Sequence, residues 1–221
     1  KDKTATVNFS NEFKNYKPED ELKILQAVTW TLTQFDSIEN VKLKLNGHEL
    51  TEMPVGGTPI GDGYTRANGI NIDTSEVIDI TNTKAATVYY VAGEEDNYYY
   101  VPVTRRVQEN DIEGVVAELV KGPSYASNLV TDFLPDVELL EEPKIENGKV
   151  TLNFNESIYG SFEEKIISQH LLNTLVLSLT EQKGIESVAV TVNGEAELVR
   201  ENGEKLTEPV TRPENVNTGS F

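Results

Sequence analysis

The chain carries two copies of one pattern, and any fold must accommodate both. Thr6-Val7-Asn8-Phe9 matches Thr151-Leu152-Asn153-Phe154. Thr31-Leu32-Thr33-Gln34, followed by Ile38 to Gly47, matches Ser178-Leu179-Thr180-Glu181, followed by Ile185 to Gly194. Tyr64-Thr65-Arg66 then matches Val210-Thr211-Arg212 in the same order. One self-similarity at long spacing indicates a duplicated module, not a solenoid of short repeats. Copy two is preceded, over residues 83–145, by structured-looking sequence with no counterpart before copy one. The first copy is therefore expected to hold only the rear half of a module, either because the chain is cut within it or because it is naturally shorter.

Local patterns define the module. Val41-x-Leu43-x-Leu45 and Val188-x-Val190-x-Val192 alternate as half-buried strands do, and each runs into Asn-Gly, the dipeptide of a type I′ turn. Lys149 to Phe154 alternates too, with Asn147-Gly148 before it. Leu22, Leu25, Val28, Leu32 and Phe35 recur at helical spacing, behind Pro18 and the acidic run Glu19-Asp20-Glu21 that suits a helix start. In copy two, Ser161-x-x-Glu164 reads as a capping box for a helix whose inward stripe is Ile167, Leu171, Leu175 and Leu179. A shorter helix is expected from Asp111 to about Val120, stopped by Lys121-Gly122-Pro123. Strands are expected at Thr87 to Val91 and Tyr98 to Val103, around the acidic turn Gly93 to Asn97. Hairpins mixed with helical crossovers make an α+β fold, two tandem repeats of a small sheet with helices on one face. The join is expected near residue 82, giving modules 1–82 (rear half plus linker) and 83–221.

Composition narrows the chemistry. With 19 Lys+Arg against 37 Asp+Glu, the net charge of −18 repels phosphate backbones and argues against nucleic-acid binding. Without cysteine there is no disulfide, thiolate nucleophile or cysteine metal site. The most apolar stretch, Leu171 to Leu179, is about half the ~20 residues a bilayer span needs. The opening Lys1-Asp2-Lys3-Thr4 has no leader character and reads as a processed or engineered start, as a fragment would show whether or not its parent is tethered.

Candidate catalytic groups are few. His170 falls inside a helix beside its apolar stripe, where a structural histidine is expected, and no Gly-x-Ser-x-Gly elbow accompanies it. His48 follows a turn and corresponds to Glu195, so the repeat does not keep its chemistry. Acidic pairs such as Glu141/Glu142 follow from composition, and Glu94 to Asn97 lacks EF-hand spacing. No phosphate loop is present: Gly56-Gly57 and Gly61-x-Gly63 have no Lys-Ser/Thr after them. No catalytic residue, cofactor or metal is expected. In Tyr98-Tyr99-Tyr100-Val101-Pro102-Val103, Tyr99, Val101 and Val103 share one face. Tyr98 and Tyr100 take the other, to cover a helix or to meet a partner.

Three further runs complete an ordered set. They are Tyr98 to Val107, the helix ending Leu119-Val120-Lys121-Gly122-Pro123, and Glu208-Pro209-Val210-Thr211-Arg212. With Val150 to Phe154 and the Thr180 … Asn193-Gly194 step between them, the order resembles the GerMN sporulation and spore-germination domain, in tandem. The resemblance covers all of copy two and the rear half of copy one. It implies a non-enzymatic lipoprotein between mother cell and forespore, related to ring-building motifs, that helps build or localise the channel complex joining the cells. Channel proteins in the intermembrane space and self-association are the implied partners. The resemblance implies membrane attachment only through a lipid anchor, which is expected to lie outside this chain. Tyr98 and Tyr100 are the candidate partner-binding residues, and peptidoglycan binding through them is the alternative.

Overall fold

A computed structural model of the chain describes residues 2–74, 81–93, 97–108, 112–160, 165–213 and 216. Contacts divide the chain into two units, Lys1–Ile72 and Asp73–Phe221.

The first unit is a strand–helix–strand crossover. Strand β1 (Thr4–Phe9) leads through short 3-10 turns at Asn11–Lys14 and Pro18–Asp20 into α1 (Glu21–Leu32), and the chain returns as β2 (Asn40–Leu45). β1 and β2 pair in parallel, Thr4 with Asn40 through Phe9 with Leu45, and β3 (His48–Glu49) turns back against β2. A parallel pair cannot be joined by a tight turn, so the intervening helix is obligatory. Val41, Leu43 and Leu45 are buried on the inner face. Leu25 packs there with Val28 and Leu32, and Met53, Ile60 and Tyr64 return from the loop-rich tail to close the core. The expected stripe is shorter than its spacing implied. Phe35 lies past the helix end and is 56% exposed, and Leu22, in the first turn, is 40% exposed.

The residue buried at that helix start is Glu21, 1% exposed. Its Oε1 accepts from the backbone N–H of Val55 and Gly56 and from Tyr16 Oη, and its Oε2 accepts from Thr58 N–H, all within 2.9 Å. A Cβ at position 56 would stand 2.7 Å from Glu21 Oε2, so glycine there lets the loop close on the carboxylate without displacing it. This carboxylate fixes the start of α1 to the 55–58 loop.

The second unit repeats the crossover and adds to it. Strands β4 (Thr83–Ala92) and β5 (Tyr99–Gln108) form an antiparallel hairpin, followed by α2 (Ile112–Lys121). Next come β6 (Lys144–Glu146), β7 (Lys149–Phe154), β8 (Ile166–Ile167), α3 (Gln169–Leu179) and β9 (Ser187–Val192), then β10 (Leu198–Arg200), β11 (Lys205–Leu206) and β12 (Val210–Thr211). One sheet has the order β12-β9-β7-β6, with β7 and β9 parallel, and a second has the order β11-β10-β8. One hydrophobic core takes in Leu171, Leu172, Leu175, Val176 and Leu179 of α3, which explains why all five are buried. Ser161 and Glu164 lie outside the described residues. The helix is capped instead by Ser168, whose Oγ accepts from His170 N and Leu171 N, so Ile167 belongs to β8 and not to the helical stripe.

Burial pushes the Glu21 carboxyl upward, but the N–H groups of Gly56 and Thr58 and the Tyr16 hydroxyl outweigh it and bring it down to about 2, from an ordinary 4.5. A depressed acid contributes stability above its unfolded pKa and loses it as pH falls through the folded one. First-unit stability should therefore drop between about pH 4.5 and about pH 2, by about 3 kcal/mol. Trp30, the only tryptophan, reports it by fluorescence-monitored unfolding. Glu21→Gln should remove a similar amount at neutral pH and flatten the acid limb. An unchanged acid limb would contradict this role.

Candidate functional site

The tyrosine run at the start of β5 is the first candidate. Tyr100 is 6% exposed, folded onto α3, where its Oη lies 2.9 Å from His170 Nδ1 and accepts from Asn173 Nδ2 at 2.8 Å. Burial pushes the Tyr100 phenol up, with Asp132 and Glu201 adding to it against the opposing Asn173 bond. Tyr98 is 45% exposed and meets the His170 ring edge-on, 4.6 Å between centroids. Tyr99 is half exposed at the strand end. The two tyrosines assigned to one face thus differ. Tyr100 covers the helix, while Tyr98 keeps an accessible ring. His170 is a structural neighbour of both, and His48 is exposed on the β3 turn.

Around them, the start of α3 is ringed by carboxylates. Ser168 Oγ donates to Asp132, and Gln169 N–H donates to Glu201 Oε2 at 3.1 Å. The positive end of the helix dipole is therefore already met by acid side chains.

A second cluster escaped the sequence reading. Arg105 is buried between Glu118 of α2, 2.7 Å from Nη1, and Asp73, 2.8 Å from Nη2, and lies over the Tyr90 ring. Burial would lower its pKa, but Glu118, Tyr90 and Asp73 raise it, so the charge is held. The signal was present: strand alternation puts Arg105 on the face of Val103 and Val107, so an inward arginine needed an acidic partner. Its geometry ties hairpin to helix and leaves all three charges engaged.

A concave feature among the described residues of the second unit lies beside α2. A cleft of about 660 Å³ runs between that helix and residues 137–142. Val116, Val120, Val137 and Leu139 make an apolar floor, and Glu113, Glu138, Glu141 and Glu142 bring acid groups to its rim; Lys121 also lines it, and Lys144 pairs with Glu141 at 2.7 Å. Leu140 adds an exposed apolar side chain at the mouth. Such a surface fits an apolar segment carrying positive charge. Among the described residues there is no group of three or more His, Asp or Glu placed to hold a metal, and no helix is long and apolar enough to cross a membrane.

The placement predicts a contrast between neighbours. Tyr100→Phe should cost about 1 kcal/mol by stranding the Asn173 and His170 partners. Tyr98→Ala should leave stability within about 0.5 kcal/mol, as expected of an exposed ring. Chemical unfolding of both variants checks this, and equal losses would contradict it.

With this geometry in hand, comparison with known proteins is specific. Residues 1–51 and 87–198 match the Germane family model, described as sporulation and spore germination. The chain is 61% identical over 226 residues to the spore germination protein GerM of Bacillus subtilis (strain 168). That alignment covers all of this chain and 62% of the relative, so the chain spans less than two thirds of its curated relative's length. The solved tandem GerMN domains of GerM from Bacillus subtilis superpose with a TM-score of 0.90 at 58% identity, covering 98% of this chain and 77% of that one. The solved first GerMN domain of the same protein is 72% identical over 29% of this chain and 49% of its own, with a TM-score of 0.29. The expected tandem GerMN architecture is therefore met, and the chain belongs to the Germane family of sporulation and spore germination proteins.

Proposed function

We propose that this chain is a non-catalytic assembly part of the sporulation machinery, docking proteins of the channel between mother cell and forespore through the acid-rimmed cleft beside α2. The cleft carries the reading: an apolar floor of Val116, Val120, Val137 and Leu139 beside the carboxylates of Glu138 and Glu142 suits a basic, apolar segment of a partner. The strongly perturbed groups support it as well. Glu21 and Arg105 are both consumed by bonds that hold the fold, which is how a scaffold uses its ionisable groups. Ring-type self-association, a lipid anchor on the full-length protein and a location between the two cells belong to the same proposal. Tyr98, with its accessible ring, favours one further reading, stacking on peptidoglycan sugars.

Salt dependence separates the cases in analytical ultracentrifugation of the chain, alone and mixed with intermembrane domains of the channel proteins. Docking a basic segment on the cleft predicts a mixed complex that weakens as salt rises and is lost in Glu138→Lys/Glu142→Lys. Self-association of a chain at −18 should instead strengthen with salt. Co-sedimentation with purified cell wall, abolished by Tyr98→Ala, would favour the glycan reading. A strict monomer that ignores channel domains at every salt concentration would overturn the docking proposal.

A further inference from the structure

The chain contains five Asn-Gly pairs, at Asn46, Asn68, Asn147, Asn193 and Asn202. An Asn followed by Gly can react with its own backbone, because the glycine nitrogen meets little steric resistance on its way to the Asn amide carbon. What distinguishes the five is where that nitrogen is held. Gly47 N–H donates to Asn8 Oδ1 at 2.8 Å and Gly194 N–H to Asn153 Oδ1 at 2.9 Å. Gly69 N–H donates to Arg66 O at 2.9 Å and Gly203 N–H to Arg200 O at 2.8 Å. Gly148 N–H alone has no acceptor among the described residues. Asn147 is exposed at φ 51° on the turn between β6 and β7, while the Gly148 carbonyl is anchored by Glu186 N–H at 2.7 Å and Ser187 N–H at 3.2 Å.

We propose that Asn147 is a spontaneous modification site, deamidating through a cyclic imide, and that Asn8 and Asn153 shield the two equivalent turns of the repeat. Gly148 N gives its proton to water and attacks Asn147 Cγ, forming a C–N bond. The tetrahedral carbon collapses and the amide nitrogen leaves, protonated, as ammonia. Water then adds to either imide carbonyl and opens the ring to aspartate or isoaspartate, with no oxidant or reductant involved. Both products put a new carboxylate next to Glu146 and near Glu186, which already lies against Gly148. The isoaspartate also lengthens the main chain inside the two-residue turn that pairs Glu146 with Lys149, and so loosens β6 at the sheet edge.

The test is peptide mapping by mass spectrometry, with isoaspartate detection, on the folded chain incubated in mildly alkaline buffer. Breaking one backbone hydrogen bond before attack makes the shielded turns slower, so Asn147 should convert about tenfold faster than Asn46 or Asn193. Asn8→Ala should bring Asn46 up toward the Asn147 rate, and Asn8→Asp, which keeps the acceptor, should leave Asn46 slow. Equal rates at all turns of the unaltered chain, or an Asn147 no faster than its shielded counterparts, would overturn the proposal. So would an Asn46 rate indifferent to Asn8→Ala.

Discussion

In both units an arginine closes the end of the crossover helix, and the rest of each module is arranged around that contact. Arg66 donates from Nε to Thr33 Oγ1 at 2.9 Å and from Nη2 to Trp30 O at 3.5 Å. Arg212 donates from Nη1 to Thr180 Oγ1 at 2.9 Å and to Leu177 O at 3.0 Å. In the repeat, Thr33 corresponds to Thr180 and Trp30 to Leu177, so the same bonds recur on the same positions. Each threonine hydroxyl also donates back into its helix, to Thr29 O and Val176 O, and can accept from the guanidinium at the same time. The carbonyls concerned belong to the last turn, where intrahelical partners run out and a positive charge meets the negative end of the dipole. Each arginine also lies over an aromatic ring, Trp30 in one unit and Tyr89 in the other.

The parallel strands are joined at both their ends by an equally repeated set. Lys3 O accepts from Glu39 and Asn40 N–H, as Gly148 O does from Glu186 and Ser187 N–H. Asn8 and Asn153 each reach from the first parallel strand to the glycine of the Asn-Gly turn after the second. These bonds set register and turn together, which explains why asparagine, threonine and arginine survive in both copies while the neighbouring polar residues drift. The helix starts show the drift. Glu21 binds a loop of its own unit, whereas the corresponding Ser168 caps α3 and donates to Asp132. What the copies share is framework, and what they do not share is where partner recognition has room to differ.

Much of this framework was legible in the residues. The alternating strands, their Asn-Gly turns with positive φ at Asn46, Asn147 and Asn193, and the crossover helices follow from local period and turn chemistry. The tyrosine face was legible only as a parity. Strand alternation separates Tyr100 from Val101, but whether that face meets solvent or a helix depends on Asn173 and His170, far along the chain. Glu21 was hidden for the same reason, since acid residues before a helix suit its dipole, and nothing local announces a loop at residues 55–58 folding over one of them. The cleft beside α2 depends on residues 137–142, which have no periodicity to read. Leu22 and Phe35 mark the opposite error, helical spacing carried past the part of the helix that faces the core.

The central claim, that the repeat is held by one arginine–threonine contact used twice, is tested by paired double-mutant cycles. Unfolding free energies would be measured for Arg66→Ala, Thr33→Val and their double variant, and for Arg212→Ala, Thr180→Val and theirs. A shared framework predicts favourable coupling of the same sign in both units, about 1 kcal/mol each. Coupling in one unit and none in the other would mean that the repeated residues are inherited without a common structural role, and would contradict the account.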